Sequence, residues 1–109
     1  MASIRLVMTR DRTCTLQFNA RRNIAGNTIY FAMKNDHKNE YYDIEPILCT
    51  ITNAIVGLFY VTITNDLTQN LDIGKYYAEL VRLTAAGSYQ TLQKFDVDLL
   101  PEIINSRDI

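Results

Sequence analysis

Two carboxylates, Asp96 and Asp98, stand two residues apart in a stretch where apolar and polar residues alternate. In a β-strand this spacing places both side chains on one face, where they could share a cation with a third ligand. Hard cations need about six or more oxygen ligands, so a solvated strand edge is the favoured interpretation of the pair. The single histidine, His37, lies in a polar loop without a cysteine or carboxylate cluster, so neither a zinc site nor a Ser-His-Asp arrangement is supported.

The chain also lacks a glycine-rich phosphate loop, and we therefore expect no enzyme activity, no cofactor and no bound metal. Cys14 and Cys49 lie in strand-like stretches and could form a disulfide in an oxidising compartment. The initiator methionine and the absence of an Asn-x-Ser/Thr sequence favour folding in a cytosol, where thiols stay reduced. We predict that both cysteines are core or half-buried thiols, with a disulfide as the less favoured alternative.

The best candidate for a recognition surface is Tyr41-Tyr42-Asp43, which follows a polar stretch at 35–40. Adjacent aromatic rings beside carboxylates could stack on a sugar ring or anchor a protein partner. The structural alternative is that one tyrosine covers an end of the fold while the other is exposed. Basic and aromatic residues do not alternate along one face, and the net charge is −1, so we expect no nucleic-acid or membrane partner.

Strands must position these residues, because apolar residues recur with a period of two along most of the chain. A length of 109 residues gives one domain with one core. The pattern predicts strands at 4–8, 13–19, 28–34, 47–51, 58–63, 76–83 and 89–99, with one or two helical turns at 65–71. The fold class that follows is all-β, an immunoglobulin-like β-sandwich of about seven antiparallel strands with a short helical turn before the sixth. The predicted core includes Leu16, Phe18, Ile29, Phe31, Tyr76, Ala78 and Leu80.

A local motif supports the sandwich. The pattern Asp-x-Gly-x-Tyr-x-Ala stands at the start of an alternating strand and consists of Asp72, Gly74, Tyr76 and Ala78. This is the pattern of a tyrosine corner, in which glycine allows a positive φ and the tyrosine hydroxyl returns to the backbone of the turn. We expect these residues to have a structural role.

The domain is predicted to occupy residues 1–100, and 101–109 to form a short C-terminal tail that begins with Pro101. Ile103, Ile104 and Ile109 have few possible partners within the sandwich. We expect the tail to be disordered in the isolated protein and to become ordered against a neighbouring chain.

Charge is distributed unevenly along the chain. Residues 1–35 contain six basic residues and one acidic residue, whereas 36–109 contain five basic and eleven acidic residues. If this division persists in the fold, the domain has a basic and an acidic side, and Arg21 and Arg22 are candidates for docking between copies. The alternative, equally open, is that strand pairing mixes the two groups of charges.

The order of the strand motifs resembles the N-terminal immunoglobulin-like domain of phage baseplate upper proteins and related small phage virion modules. The motifs that carry the resemblance are TRDRT at 9–13, CTLQFN at 14–19, TIYFAMK at 28–34, FYVTI at 59–63 followed by TNDLTQNL at 64–71, GKYYAEL at 74–80, and QTLQKFDV at 90–97. The resemblance implies a non-catalytic structural protein of the virion, located in the tail, baseplate or neck, that is made in the host cytoplasm and binds other virion proteins in many copies.

Two alternatives remain open. A small domain with a short apolar tail is also compatible with a capsid decoration or cement protein. From another class, Tyr41, Tyr42 and the acidic residues around them are compatible with a carbohydrate-binding or host-adhesion module.

Overall fold

The computed structural model describes residues 4–36, 38–104 and 107, which form eight β-strands and one 3-10 helix. The strands are β1 (Ile4–Thr9), β2 (Cys14–Asn19), β3 (Thr28–Lys34), β4 (Ile44–Leu48), β5 (Thr50–Asn53), β6 (Leu58–Ile63), β7 (Gly74–Leu83) and β8 (Tyr89–Leu100). The helix, Asn65–Leu67, is a single turn within the stretch where the sequence predicts helical structure. Within the described part of the chain, no helix is long and apolar enough to cross a membrane.

The strands form two sheets, one with the order β1-β8-β7-β3-β4 and one with the order β2-β6-β5. The sheets pack as a sandwich, which confirms the predicted all-β, immunoglobulin-like class. One pairing differs from the prediction of antiparallel strands, because β1 and β8 run parallel, with Ile4 opposite Phe95 and Thr9 opposite Leu100. These are the first and last strands of the sandwich, so no short turn forces them to be antiparallel.

The predicted strand at 47–51 is two strands in different sheets, so the sandwich has eight strands. β4 pairs with β3 in the larger sheet, and β5 pairs with β6 in the smaller sheet. The chain crosses between the sheets at Cys49, whose amide donates a hydrogen bond of 2.8 Å to the Ile29 carbonyl. The sequence gives no sign of this crossing, because only Cys49 separates β4 from β5 and no Gly, Pro, Asn or Asp lies between them.

The core lies between the sheets and contains most of the predicted residues. Ile29, Phe31, Tyr76, Ala78 and Leu80 are all buried, each with 5% exposure or less. Leu16 and Phe18 are only partly buried, because β2 is the edge strand of the smaller sheet. Phe18 nevertheless joins the two sheets. Its ring centroid lies 5.4 Å from that of Phe59 on β6 and 5.5 Å from that of Phe95 on β8.

The turn before β7 has the geometry of a tyrosine corner. The hydroxyl of Tyr76 donates a hydrogen bond of 2.5 Å to the Asp72 carbonyl, and Gly74 adopts a φ of 140°. Burial raises the pKa of Tyr76, so the hydroxyl remains a donor throughout the neutral range. The hydrogen bond fixes the chain entering β7, the strand that lies between β8 and β3 in the larger sheet.

Removing the Tyr76 hydroxyl and removing its ring should have separable effects on stability. We expect Tyr76→Phe to cost on the order of 1 kcal/mol of unfolding free energy through loss of one hydrogen bond. Tyr76→Ala should cost ~3 kcal/mol or more, because it also removes a buried ring. Urea denaturation measures both, with Tyr89→Phe as the control, because Tyr89 is 72% exposed. Small and equal effects of the two Tyr76 substitutions would contradict this account of the corner.

Candidate interaction surface

The loop between β3 and β4 carries Tyr41, Tyr42 and Asp43, and Asp43 closes it. The Oδ2 atom of Asp43 accepts a hydrogen bond of 2.6 Å from the Asn35 amide. The Asp43 amide donates to the Met33 carbonyl at 2.9 Å. The carboxylate that the sequence offers as a partner contact therefore stabilises the loop itself.

Tyr41 and Tyr42 have different environments. Tyr41 is 73% exposed, whereas Tyr42 is 46% exposed and lies near the outer face of the five-stranded sheet. The Nζ atom of Lys34 lies 4.7 Å from the centroid of the Tyr42 ring, a cation–π distance. The same Nζ donates a hydrogen bond of 2.6 Å to the Asn39 carbonyl. Lys34 therefore connects the loop to the sheet and fixes the position of the Tyr42 ring.

Tyr42 forms one wall of an apolar cleft of about 320 Å³ on the outer face of this sheet. Four strands contribute to the cleft, which is lined by Tyr30, Ala32, Tyr42, Pro46, Glu79, Val81 and Tyr89. We call the apolar part of this surface, formed by Tyr30, Ala32, Tyr42, Pro46, Val81 and Tyr89, the tyrosine face. Three phenol rings around an aliphatic floor combine apolar contact area with hydroxyl groups, a composition typical of recognition surfaces.

A second, more polar cleft of about 270 Å³ adjoins the first and shares Ala32, Tyr42 and Glu79 with it. Lys34, Tyr77, Ala78 and Lys94 complete its lining. The carboxylate of Glu79 is held in place by the Thr91 hydroxyl, which donates to Oε2 at 2.6 Å. The two clefts together offer aromatic rings, one carboxylate and two ammonium groups. These groups can bind a partner through apolar contacts, hydrogen bonds and ion pairs.

Sequence reasoning found Tyr42 but missed Tyr30, Val81 and Tyr89. A signal for Tyr30 and Val81 is present in the strand pattern. In β3, Ile29 and Phe31 are buried, and the alternation therefore places Tyr30 on the opposite face. In β7, Leu80 is buried, and the alternation likewise places Val81 on the outer face. The outward position of Tyr30 on an interior strand could therefore have been identified from the sequence pattern. Tyr89 carried no such signal, because it follows the β7–β8 turn directly.

Arg21 and Arg22 follow β2 in a turn that is fixed by backbone contacts. Arg21 has a φ of 56°, and its amide donates a hydrogen bond of 2.8 Å to Asn19 Oδ1. Gly57 packs against the turn so closely that a Cβ atom there would lie 2.5 Å from the Arg22 carbonyl oxygen. Both arginine residues are exposed, and within the described residues neither forms an ion pair.

The uneven charge along the sequence is partly neutralised in the fold. Because β1 lies beside β8, the guanidinium of Arg5 forms an ion pair with Asp98. Arg10 likewise pairs with Glu102. The basic beginning of the domain and its acidic end therefore contact each other, which favours the alternative of mixed charges for these strands.

Arg10 also determines where the chain leaves the domain. Its Nε and Nη2 atoms donate to the two carboxylate oxygens of Glu102 at 3.1 and 3.2 Å, and Nη1 donates to the Leu71 carbonyl at 3.2 Å. The predicted disordered tail at 101–109 therefore does not begin at Pro101, because Glu102 is held against the domain. Beyond it, Arg12 donates to the Ile104 carbonyl, while Ile103 is 100% exposed.

The remaining candidate residues are two tail isoleucines, the histidine and the aspartate pair of β8. Ile104 is 56% exposed, while Ile109 and His37 lie outside the described residues. Asp96 is exposed, and the carboxylate of Asp98 is engaged by Arg5, so the two aspartates do not act as a pair. Among residues 4–36, 38–104 and 107, no group of three His, Cys, Asp or Glu side chains comes together.

The two cysteines occupy the environments that the sequence predicts, since Cys14 is half-buried and Cys49 is buried. Both are free thiols, and the Sγ atom of Cys14 lies 3.8 Å from Met8 Sδ. Burial raises the pKa of the Cys49 thiol to about 11, so this thiol stays protonated and unreactive at neutral pH.

No protein-family model matches the chain, and no curated protein sequence matches it. Two solved structures are similar to it to different degrees. The N-terminal domain of phage TP901-1 ORF48 superposes with a TM-score of 0.59 over 92% of this chain and 90% of that domain, at 9% sequence identity. The second Ig domain of the mouse polymeric immunoglobulin receptor superposes with a TM-score of 0.49 over 95% of this chain and 100% of that domain, at 15% identity. At 9% identity, the similarity to the phage TP901-1 ORF48 domain shows the fold and nothing finer.

The ion pair between Arg10 and Glu102 should make stability depend on pH in a defined direction. The hydrogen bond from Arg10 lowers the pKa of Glu102 below its ordinary value. The pair therefore contributes its full stabilisation above the ordinary carboxyl range and loses it as the pH falls through the lowered folded pKa. We expect Glu102→Gln to be less stable than wild type at neutral pH and equally stable below that pKa.

Thermal denaturation across this pH range measures the difference between the two proteins. Glu40→Gln is the matched control, because Glu40 is exposed and has no described partner. A difference between Glu102→Gln and wild type that stays constant from neutral to acidic pH would contradict a role for the ionised carboxylate.

Proposed function

We propose that this chain is a non-catalytic structural module of a phage virion that acts by binding other virion proteins. The observation that carries the proposal is the tyrosine face, an exposed aromatic surface on a sandwich whose described residues bring together no group of three His, Cys, Asp or Glu side chains. A rigid sheet that presents tyrosine rings can bind a partner without a large conformational cost.

Two similarities support a place in a phage particle. The order of sequence motifs resembles the N-terminal domain of phage baseplate upper proteins, and the fold matches the N-terminal domain of phage TP901-1 ORF48 along nearly the whole chain. Within the virion, the tail, baseplate or neck is the proposed location. The alternative is a capsid decoration or cement protein, which would also act by binding virion proteins but would contact the capsid rather than the tail, baseplate or neck.

One observation favours a second candidate, a carbohydrate-binding or host-adhesion module. Tyr42 separates two adjoining clefts, one apolar and one bordered by Glu79, Lys34 and Lys94. A sugar ring has apolar faces and polar edges, so it could stack on the Tyr42 ring and form hydrogen bonds with these charged groups. The virion role is preferred because it also accounts for the fold similarity.

Mass spectrometry of purified phage particles tests the main proposal. We expect the protein to be present at high copy number relative to single-copy particle proteins. Its absence from purified particles, with the protein found only in the lysate, would overturn the virion role. Cross-linking of intact particles, followed by identification of linked peptides, distinguishes a tail neighbour from a capsid neighbour.

Reversing the charge of both Arg21 and Arg22 tests the electrostatic part of the proposal. We expect the Arg21→Glu, Arg22→Glu variant to enter particles less efficiently and to fold normally, because both residues are exposed and their turn is held by backbone contacts. Arg82→Glu is a control with similar chemistry at another site, where the guanidinium contacts Gln90. Normal incorporation of the double variant would show that these arginines do not orient the module.

A glycan array tests the second candidate. If the clefts beside Tyr42 bind sugars, Tyr42→Ala should abolish binding, whereas Tyr41→Ala should have a much smaller effect because Tyr41 borders neither cleft. Equal losses from the two substitutions, or no binding by the wild-type protein, would contradict carbohydrate binding at these clefts. The structural role would then be the remaining proposal.

A further inference from the structure

The sandwich has four edge strands, β1 and β4 in the larger sheet and β2 and β5 in the smaller sheet. An edge strand exposes backbone N–H and C=O groups that can pair with another strand, and folded proteins usually protect such edges. Three of the four edges have a recognisable protection. β4 contains Pro46, β1 contains Arg5, and β5 has four residues with a register shift between Ile51 and Asn53.

The edge of β2 has none of these protections. Its six residues, Cys14–Asn19, include no proline and no charged side chain. Its register with β6 is regular from Cys14 opposite Ile63 to Asn19 opposite Leu58. Within the described residues β2 pairs with β6 alone, so its other edge is open along the whole strand.

The register identifies which backbone groups of β2 face the open edge. The Ala20 amide donates a hydrogen bond of 2.8 Å to the Gly57 carbonyl, in line with the pairing of β2 and β6. Because bonded and non-bonded pairs alternate in an antiparallel ladder, every second residue back from Ala20 bonds to β6. The intervening residues, Thr15, Gln17 and Asn19, therefore direct their N–H and C=O groups away from the domain.

We propose that a second copy of this chain pairs with β2 in antiparallel orientation, about a two-fold axis at Gln17. In this register Gln17 lies opposite the partner's Gln17, and Thr15 lies opposite the partner's Asn19. All three outward-facing residues then find backbone partners, which no shift of the register allows. A shift by one residue would also place core-facing side chains opposite outward-facing ones.

The chemistry of the strand suits pairing with itself. Thr15, Gln17 and Asn19 carry uncharged polar side chains, so a two-fold pairing brings no like charges together within the two paired strands. The core side of the same edge also has apolar surface to cover. A groove of about 340 Å³ between the sheets is lined there by Phe18, Leu92 and Ile4, and Ile4 is 52% exposed. A second copy along β2 is positioned to cover this groove.

This pairing identifies a second copy as one partner in the multi-copy assembly and therefore rests on the proposed virion function. Its test needs only the purified full chain. Sedimentation velocity over a wide range of protein concentrations should show a monomer–dimer equilibrium for the wild type. We expect Gln17→Lys and Gln17→Glu each to weaken dimerisation by at least about fivefold, because position 17 faces itself and each variant places like charges together.

The two charge variants also provide a rescue. An equimolar mixture of Gln17→Lys and Gln17→Glu should dimerise at least as well as the wild type, since a lysine then faces a glutamate. Thr50→Lys and Thr50→Glu are the matched controls. Gln17 on β2 and Thr50 on β5 both lie opposite Tyr60 of β6, one on each side of it. Thr50 therefore has the same position across the sheet as Gln17 but lies on the edge strand at the other side. The control variants should dimerise like the wild type, alone or mixed.

Three results would overturn the pairing. They are a wild type that stays monomeric at every concentration, charge variants that dimerise normally, and a mixture that fails to recover. Circular dichroism confirms that each variant is folded. A monomeric protein that is still found in virions refutes the pairing and leaves the proposed function intact, whereas a dimer that is absent from virions refutes the function and leaves the pairing intact.

Discussion

β7 and β8 are paired along ten residues, from Gly74 opposite Leu99 to Leu83 opposite Tyr89. Their pairing is the longest in the domain, and the rest of the larger sheet is added on its two sides, with β1 beside β8 and with β3 and β4 beyond β7. One face of the pair buries Phe95 and Val97 in the core. The other face carries Glu79 and Tyr89, so the ladder that builds the core also fixes part of the proposed binding surface.

The start of this ladder depends on two contacts at one end of the sandwich. The Tyr76 hydroxyl bonds to the Asp72 carbonyl, and the Arg10 guanidinium bonds to the Leu71 carbonyl and to Glu102. Arg10 therefore connects the turn before β7, the turn after β1 and the segment after β8. These three segments are distant in sequence, and holding them together also determines the direction in which the chain continues after the domain.

The two proposed contact regions lie on different sheets. The tyrosine face is on the outer side of the five-stranded sheet, and the open edge of β2 belongs to the three-stranded sheet. A module that pairs with a second copy along β2 keeps its tyrosine face available for a different partner. A standard contact buries about 800 Å² on each partner, and two such contacts per copy give an attachment much longer-lived than either one alone.

Much of this architecture could be predicted from sequence because its signals are local. Alternation identified β2, β3 and β6, and the Asp-x-Gly-x-Tyr pattern identified the turn before β7. The crossing at Cys49 could not be predicted, because only this residue separates β4 from β5 and no turn residue marks the point where the pairing partner changes. The pairing of Arg10 with Glu102 spans 92 residues and has no local pattern. Tyr42 was found as an aromatic doublet, whereas the rest of the tyrosine face depends on which strands are neighbours.

Strand pairing also determines whether the uneven charge along the sequence can contribute to assembly. The basic beginning and acidic remainder of the chain suggest two oppositely charged sides, but the parallel pairing of β1 with β8 brings Arg5 to Asp98. The ion pairs formed in this way are satisfied within one copy and contribute nothing to attraction between copies. Arg21 and Arg22 remain exposed beside the open edge of β2, outside the uncharged strand. In the proposed assembly, charge therefore influences the orientation of a partner, while backbone pairing and apolar contact supply most of the binding energy.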